Sequence, residues 1–119
     1  MNAISLLKQN PLGAFALLAV AAILESFGDS CFQAALYRSD GLASAAAAIS
    51  GAIVLVAYGL VVNLPQWDFG RLIGVYVAVF FISAQVINRI RFSHGPSLPI
   101  CVGGAFIISG GLVITFWKA

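Results

Sequence analysis

The stretch AAILESFGDSCFQ, residues 21–33, places two carboxylates, Glu25 and Asp29, inside a run otherwise suited to lipid. The sequence before Glu25 is apolar back to Gly13, Asp29 follows four residues after Glu25, and Gln33 follows four after that. At about 3.6 residues per turn, the three side chains form one polar stripe on a helix. An ionised acid at the centre of a bilayer costs at least roughly 2.5 to 3.5 kcal/mol on insertion scales. Two of them in one span point to a functional site facing a cavity or another helix. The plainer alternative is a pair of acids neutralised by protonation, or by an arginine from a neighbouring helix, and serving only packing.

The rest of the composition sets this stretch in a membrane. The chain has 119 residues, 61% of them hydrophobic and 8% charged, whereas a soluble domain carries about a quarter charged residues. That length holds four spans of about 20 residues joined by short loops. The expected fold is an all-α integral membrane protein, a single transmembrane domain with spans at 11–37, 42–62, 69–90 and 98–117. The net charge of +2 is too small to suggest nucleic acid. There is no nucleophile–base pair, no metal-ligand cluster and no phosphate loop, so enzymatic activity, a metal and a cofactor are not expected. The two cysteines, Cys31 and Cys101, have no metal-ligand spacing. They fall toward the same membrane face on the first and last spans, where they are candidate neighbours or, more simply, two small buried thiols.

Along the chain, residues 1–10 read as a short leader. The apolar run behind them is too long for a signal core and ends in no small-residue cleavage site. Pro11 opens the first helix where its missing N–H costs nothing. Arg38, Ser39, Asp40 and Gly41 make a tight turn. The second span starts with LASAAAAISGA, nearly all small residues. Small residues let helix backbones approach closely in lipid, so this half is expected against protein. The loop NLPQWDFG, residues 63–70, combines a helix-blocking Pro65, an interfacial Trp67 and a capping Asp68. His94, the lone histidine, falls in the third loop and receives no role. The last span carries Gly103–Gly104 and Gly110–Gly111, pairs seven residues apart that lay a flat groove on the helix for self-contact.

Depth follows from the alternating direction of the spans and a rise of about 1.5 Å per residue. Glu25 falls near mid-membrane and Asp29 about 6 Å toward the side where the first span ends. Tyr58 and Tyr76 fall some 5 to 8 Å toward the other side, at similar depth. An acid with aromatic rings beside it is the composition of a site for an organic cation. Tyrosines near an interface are also ordinary belt residues, and for Tyr58 alone that is the simpler account.

These residues carry a resemblance. Four short spans, a first-span acid in the pattern E-x-x-G (Glu25, Gly28) and a last-span glycine heptad (Gly104, Gly111) resemble the small multidrug resistance superfamily. Tyr58–Gly59, then Phe69–Gly70–Arg71, then Tyr76 look most like its YnfA-like branch, in matching order and spacing over nearly the whole chain. The resemblance implies a homodimer, possible in both membrane orientations, that associates through the last span. It implies that Glu25 binds protons and cationic substrate in alternation, and that Tyr76 serves as an aromatic wall. The chain departs from the family at three places. Val77–Ala78 stands where glycines usually follow the third-span aromatic, Gln33 and Ala35 stand where tryptophans are usual, and Asp29 replaces a neutral residue.

The expectation for function is a small proton-coupled exporter of cationic or amphipathic molecules in an inner (plasma) membrane. The alternative is a non-transporting subunit docked on a larger membrane complex. Loop charges give little orientation bias, with Lys8, Arg71 and Lys118 on one side against Arg38, Arg89 and Arg91 on the other.

Overall fold

The computed structural model describes residues 11–38 and 40–117. The leader over residues 1–10, Ser39 of the first turn, and Lys8 and Lys118 of the charge balance lie outside the described residues. Four helices follow one another: α1 (Pro11–Tyr37), α2 (Gly41–Val62), α3 (Phe69–Phe92) and α4 (Leu98–Phe116). All four are long and apolar enough to cross a membrane. Helices suit this setting because they satisfy their backbone groups internally, where lipid offers no hydrogen bonds.

The helix ends have local causes. Gly41 takes φ +59 in the turn into α2, a conformation that costs glycine little. Asp68 caps α3, its Oδ2 accepting from the Arg71 N–H at 3.1 Å. The helix α3 runs to Phe92, two residues beyond the expected 90, because Ser93 in the left-handed region (φ 58) is what ends it. The Ser93 N–H closes that turn on the Arg89 carbonyl at 3.1 Å.

The four helices do not close into a ring. The helix α1 lies in the middle and packs against both α2 and α3, while α4 packs against α3 alone. Glycines join α1 to α2. A Cβ built on Gly51 would lie 2.9 Å from the Gly28 carbonyl oxygen and 3.1 Å from the Cys31 Cβ. The Ser44 hydroxyl donates to the Ala35 carbonyl at the far end of the same seam. The small-residue half of α2 is therefore only partly covered. Gly51 is buried and Ser44, Ala47 and Ala48 are half-buried, but Ala43, Ala45, Ala46 and Ser50 stay exposed. A single neighbour covers one stripe of a helix and leaves the others bare.

At the α3–α4 seam the glycine groove of α4 divides. Gly104 and Gly111 are buried inside the chain, where Cβ atoms would come within 2.5 Å of the Phe81 ring and of the Ala78 Cβ. Gly103 and Gly110 have nothing within 4 Å. The expected self-contact groove is thus half occupied by α3, since adjacent residues on a helix point about 100° apart. The cysteines are separated as well. Cys31 is buried under α2 while Cys101 is exposed on α4, and α1 does not touch α4. They are not neighbours, because α3 stands between their helices.

The apolar core is gathered at one end. Leu18, Ala21 and Ala22 of α1 meet Val62 of α2 and Leu72, Val75 and Tyr76 of α3. Phe15 and Trp67 close it edge to face, with ring centroids 5.7 Å apart. This places the seal on the side of the loop joining α2 to α3.

Candidate functional site

Glu25 sits one turn beyond that seal. The Tyr76 hydroxyl donates to the Glu25 Oε1 at 3.0 Å, joining the middle of α1 to α3. Tyr76 is itself buried, with 5% of its surface exposed, so this bond is formed at the edge of the core. Hydrogen bonds to a charged acceptor are stronger than neutral ones, and more so away from water. Tyr58 reaches the same point from α2, its ring centroid 5.9 Å from that of Tyr76 at an interplanar angle of 34°. Phe80, one turn on from Tyr76, continues the row at 6.0 Å. Three helices therefore deliver one carboxylate and two tyrosine rings to a common place, with Phe80 next in the row toward Asp29. Glu25, Tyr58 and Tyr76, named from sequence as a set, are brought together here.

Asp29 lies on a different wall. It opens on a cavity of about 230 Å³ between α1 and α3, with Ser26, Ser30 and Gln33 from α1 and Phe80 and Asn88 from α3. The cavity begins beside the aromatic row at Phe80 and runs along both helices toward their C-terminal ends. Ser30 donates to the Phe27 carbonyl at 2.7 Å. Ser26 is 5% exposed, and its Oγ has no hydrogen-bond partner. Glu25 thus stands at a border, with packed apolar side chains on one side along the membrane normal and, on the other, a cavity of mixed lining in which Ala84, Ile87 and Phe92 join the polar groups.

The arginines at the cavity end are turned onto rings. The Arg38 guanidinium lies 4.4 Å over Phe92 and that of Arg91 lies 5.0 Å over Phe27. At the sealed end, Arg71 sits 5.6 Å over Trp67 and donates to the Thr115 carbonyl at 3.1 Å, which ties α3 to the end of α4. Among the described residues no group of three or more His, Cys, Asp or Glu is placed to hold a metal.

Two parts of this arrangement were not legible as a site in the sequence. Phe80 is one, its i, i+4 spacing from Tyr76 being what aligns the two rings. Ser26, Ser30 and Asn88 were not singled out as a cavity lining. Their spacing from Asp29, at i−3 and i+1 on α1, offered only a weak signal.

Comparison with known proteins gives one informative likeness. The chain is 34% identical over 71 residues to a UPF0060 membrane protein of Herpetosiphon aurantiacus, across 58% of this chain and 64% of that relative. The match thus spans less than two thirds of the relative's length. No family model matches the chain. No solved structure matches it either.

Proposed function

We propose that this chain is a small proton-coupled exporter of cationic or amphipathic molecules, of the YnfA-like kind, working as a homodimer in an inner (plasma) membrane. The observation that carries the reading is the Tyr76–Glu25 hydrogen bond at 3.0 Å, made between the apolar seal and the cavity that starts at Ser26 and Phe80. The likeness to a UPF0060 membrane protein supports a membrane protein. A carboxylate walled by Tyr58 and Tyr76 offers an organic cation both charge and aromatic faces. The same carboxylate takes a proton when the cation is absent. Proton and cation then compete for one group, and only one is bound at a time. The packed core on one side of Glu25 and the cavity that starts at its neighbour Ser26 on the other support access from a single membrane face, as alternating exchange requires.

The homodimer reading rests on the flat glycine surface the single chain leaves open, since the exposed apolar side chains around it, such as Phe106 and Leu112, are equally suited to lipid. The open face of α4 at Gly103 and Gly110 is the flat part of that surface and the proposed place of self-contact. The near-even loop charge fits insertion in both orientations. The second reading, a non-transporting subunit of a larger membrane complex, is favoured by Val77–Ala78 at the place where the resembled family bends. The Cβ groups there stiffen α3 where an access change requires it to flex.

The test is cation binding to purified protein across pH, read together with proton release. Binding should release protons and weaken as the solution is acidified. Glu25→Gln should abolish the release. Binding that ignores pH with Glu25 intact, or no binding at all, moves the assignment to the accessory subunit, which should then purify with a larger partner.

A further inference from the structure

A cavity of about 310 Å³ lies in the seam between α3 and α4. Phe81 and Gln85 of α3 line one side, and Ile100, Cys101, Gly104 and Ile108 of α4 line the other. The Phe81 ring comes close to the α4 backbone because Gly104 has no side chain, and a Cβ there would lie 2.5 Å from the ring. Among the described residues α4 packs against α3 alone, so no third helix covers the seam.

The lining is apolar but for two groups. One is the Gln85 carboxamide, whose Oε1 is buried and has no hydrogen-bond partner among the described residues. A buried acceptor in that state is unfavourable in any interior, and lipid offers it no donor. From Gln85 to the end of α3 at Phe92 is about 10 Å along the axis, which sets the oxygen well inside the span. The other group is the Cys101 thiol, a weak donor that makes no bond to Gln85.

These features select the chemistry of an occupant. The walls suit an apolar body, and Phe81 presents an aromatic face to it. The unpaired Oε1 calls for one donor. The terminal torsion of a glutamine is broad, so the amide turns to meet that donor at little cost. A lipid acyl chain supplies the body without the donor. An ammonium would bring a charge to a lining that holds no carboxylate. The volume lies at the lower end of the roughly 300 to 1,000 Å³ of small-molecule sites, which suits one small ring system.

We infer that the α3–α4 cavity binds a small neutral aromatic molecule with a single N–H or O–H, of the indole or phenol class. Its donor meets the Gln85 Oε1 and its ring lies against Phe81 and the two isoleucines. This site is separate from Glu25 and goes beyond the exporter reading. Its occupant braces α4, which within the chain is held by α3 alone.

Cys101 makes the site report on itself, because it lines the cavity and is exposed. With Cys31→Ala in place it is the only thiol of the chain. The experiment follows modification of that chain in detergent by N-ethylmaleimide, with indole, N-methylindole or neither present. N-methylindole keeps the ring and loses the donor. Indole should halve the rate at a concentration at least about fivefold below that required of N-methylindole, the effect of one buried hydrogen bond. Gln85→Leu should bring the two compounds to the same concentration, and Gln85→Met, closer in length to glutamine, should do the same. Equal protection by the two compounds, no protection by either, or a preference for indole that survives both Gln85 variants overturns the inference. None of these measurements involves Glu25, so the exporter reading stands or falls separately.

Discussion

The first and last helices of this chain have exchanged the roles that a water-soluble fold would assign them. The helix α1 carries Glu25, Ser26, Asp29, Ser30 and Gln33 and lies in the middle, between α2 and α3. The helix α4 has no charged residue over Leu98–Phe116 and hangs on the outside of α3. In water an apolar helix belongs inside and a polar one outside. In lipid the apolar helix has nothing to escape from, because hydrocarbon solvates it as well as protein does. The polar helix does, so it takes the central position where Tyr76 reaches Glu25 and where Ser26 and Ser30 are buried, although Asp29 and Gln33 stay exposed at the edge of a cavity.

The two seams differ in the same sense. Between α1 and α2, backbone lies against backbone at Gly28 and Gly51. Between α3 and α4, side chains intervene and cavities of about 310 and 140 Å³ remain. The larger one is lined by Phe81, Gln85 and Cys101, and the Gln85 Oε1 is buried without a partner. A tightly knit α1–α2 pair beside a loosely seated α4 follows from which neighbours are glycine backbone and which are movable rings.

Substitutions at three glycines should rank in that order. Gly51→Ala should do most harm, since its Cβ meets the Gly28 carbonyl, which cannot step aside. A loss of about 1 to 3 kcal/mol is expected, read as a lower midpoint in denaturation from detergent micelles. A stability equal to that of the unaltered chain would remove the close α1–α2 seam from the comparison. Gly104→Ala should cost about 1 kcal/mol or less. The obstacle there is the edge of the Phe81 ring, and the cavity next to it leaves room for the ring to swing. If it proves as harmful as Gly51→Ala, α4 is seated as firmly as α2.

Gly110 should matter least to the single chain, since nothing lies within 4 Å of its Cβ position. Gly110→Leu should leave stability within about 0.5 kcal/mol and yet weaken self-association, read by cross-linking in mild detergent. Unchanged cross-linking would move the proposed self-contact to the bare stripe of α2. Gly111→Leu is a poorer choice for that measurement, because its side chain strikes Ala78 of the same chain and disturbs α3 first.

Much of this was legible in the residues. Composition and apolar run length are local properties, and they determined a membrane-spanning, all-helical chain with four spans. Helical periodicity determined that Glu25, Asp29 and Gln33 share a stripe, and counting rise per residue placed Tyr58 and Tyr76 at one depth near Glu25. Those inferences need only the geometry of single helices, which lipid enforces strictly because an unpaired backbone group is so costly there.

Only the tertiary structure decided which faces meet. Hydrophobicity is a weak guide to facing inside a bilayer, where lipid and protein are alike to an apolar side chain. The glycine pairs of α4 looked like one groove and are split between α3 and open surface. Cys31 and Cys101 share a membrane side and are parted by a helix. The surroundings of the two acids, tyrosine rings for Glu25 and the edge of a mixed cavity for Asp29, depend on how α1 and α3 are rotated against each other. That rotation is set by the packing of Leu18, Ala21 and Ala22 with Leu72, Val75 and Tyr76, and by the Tyr76–Glu25 hydrogen bond, between residues 51 positions apart along the chain.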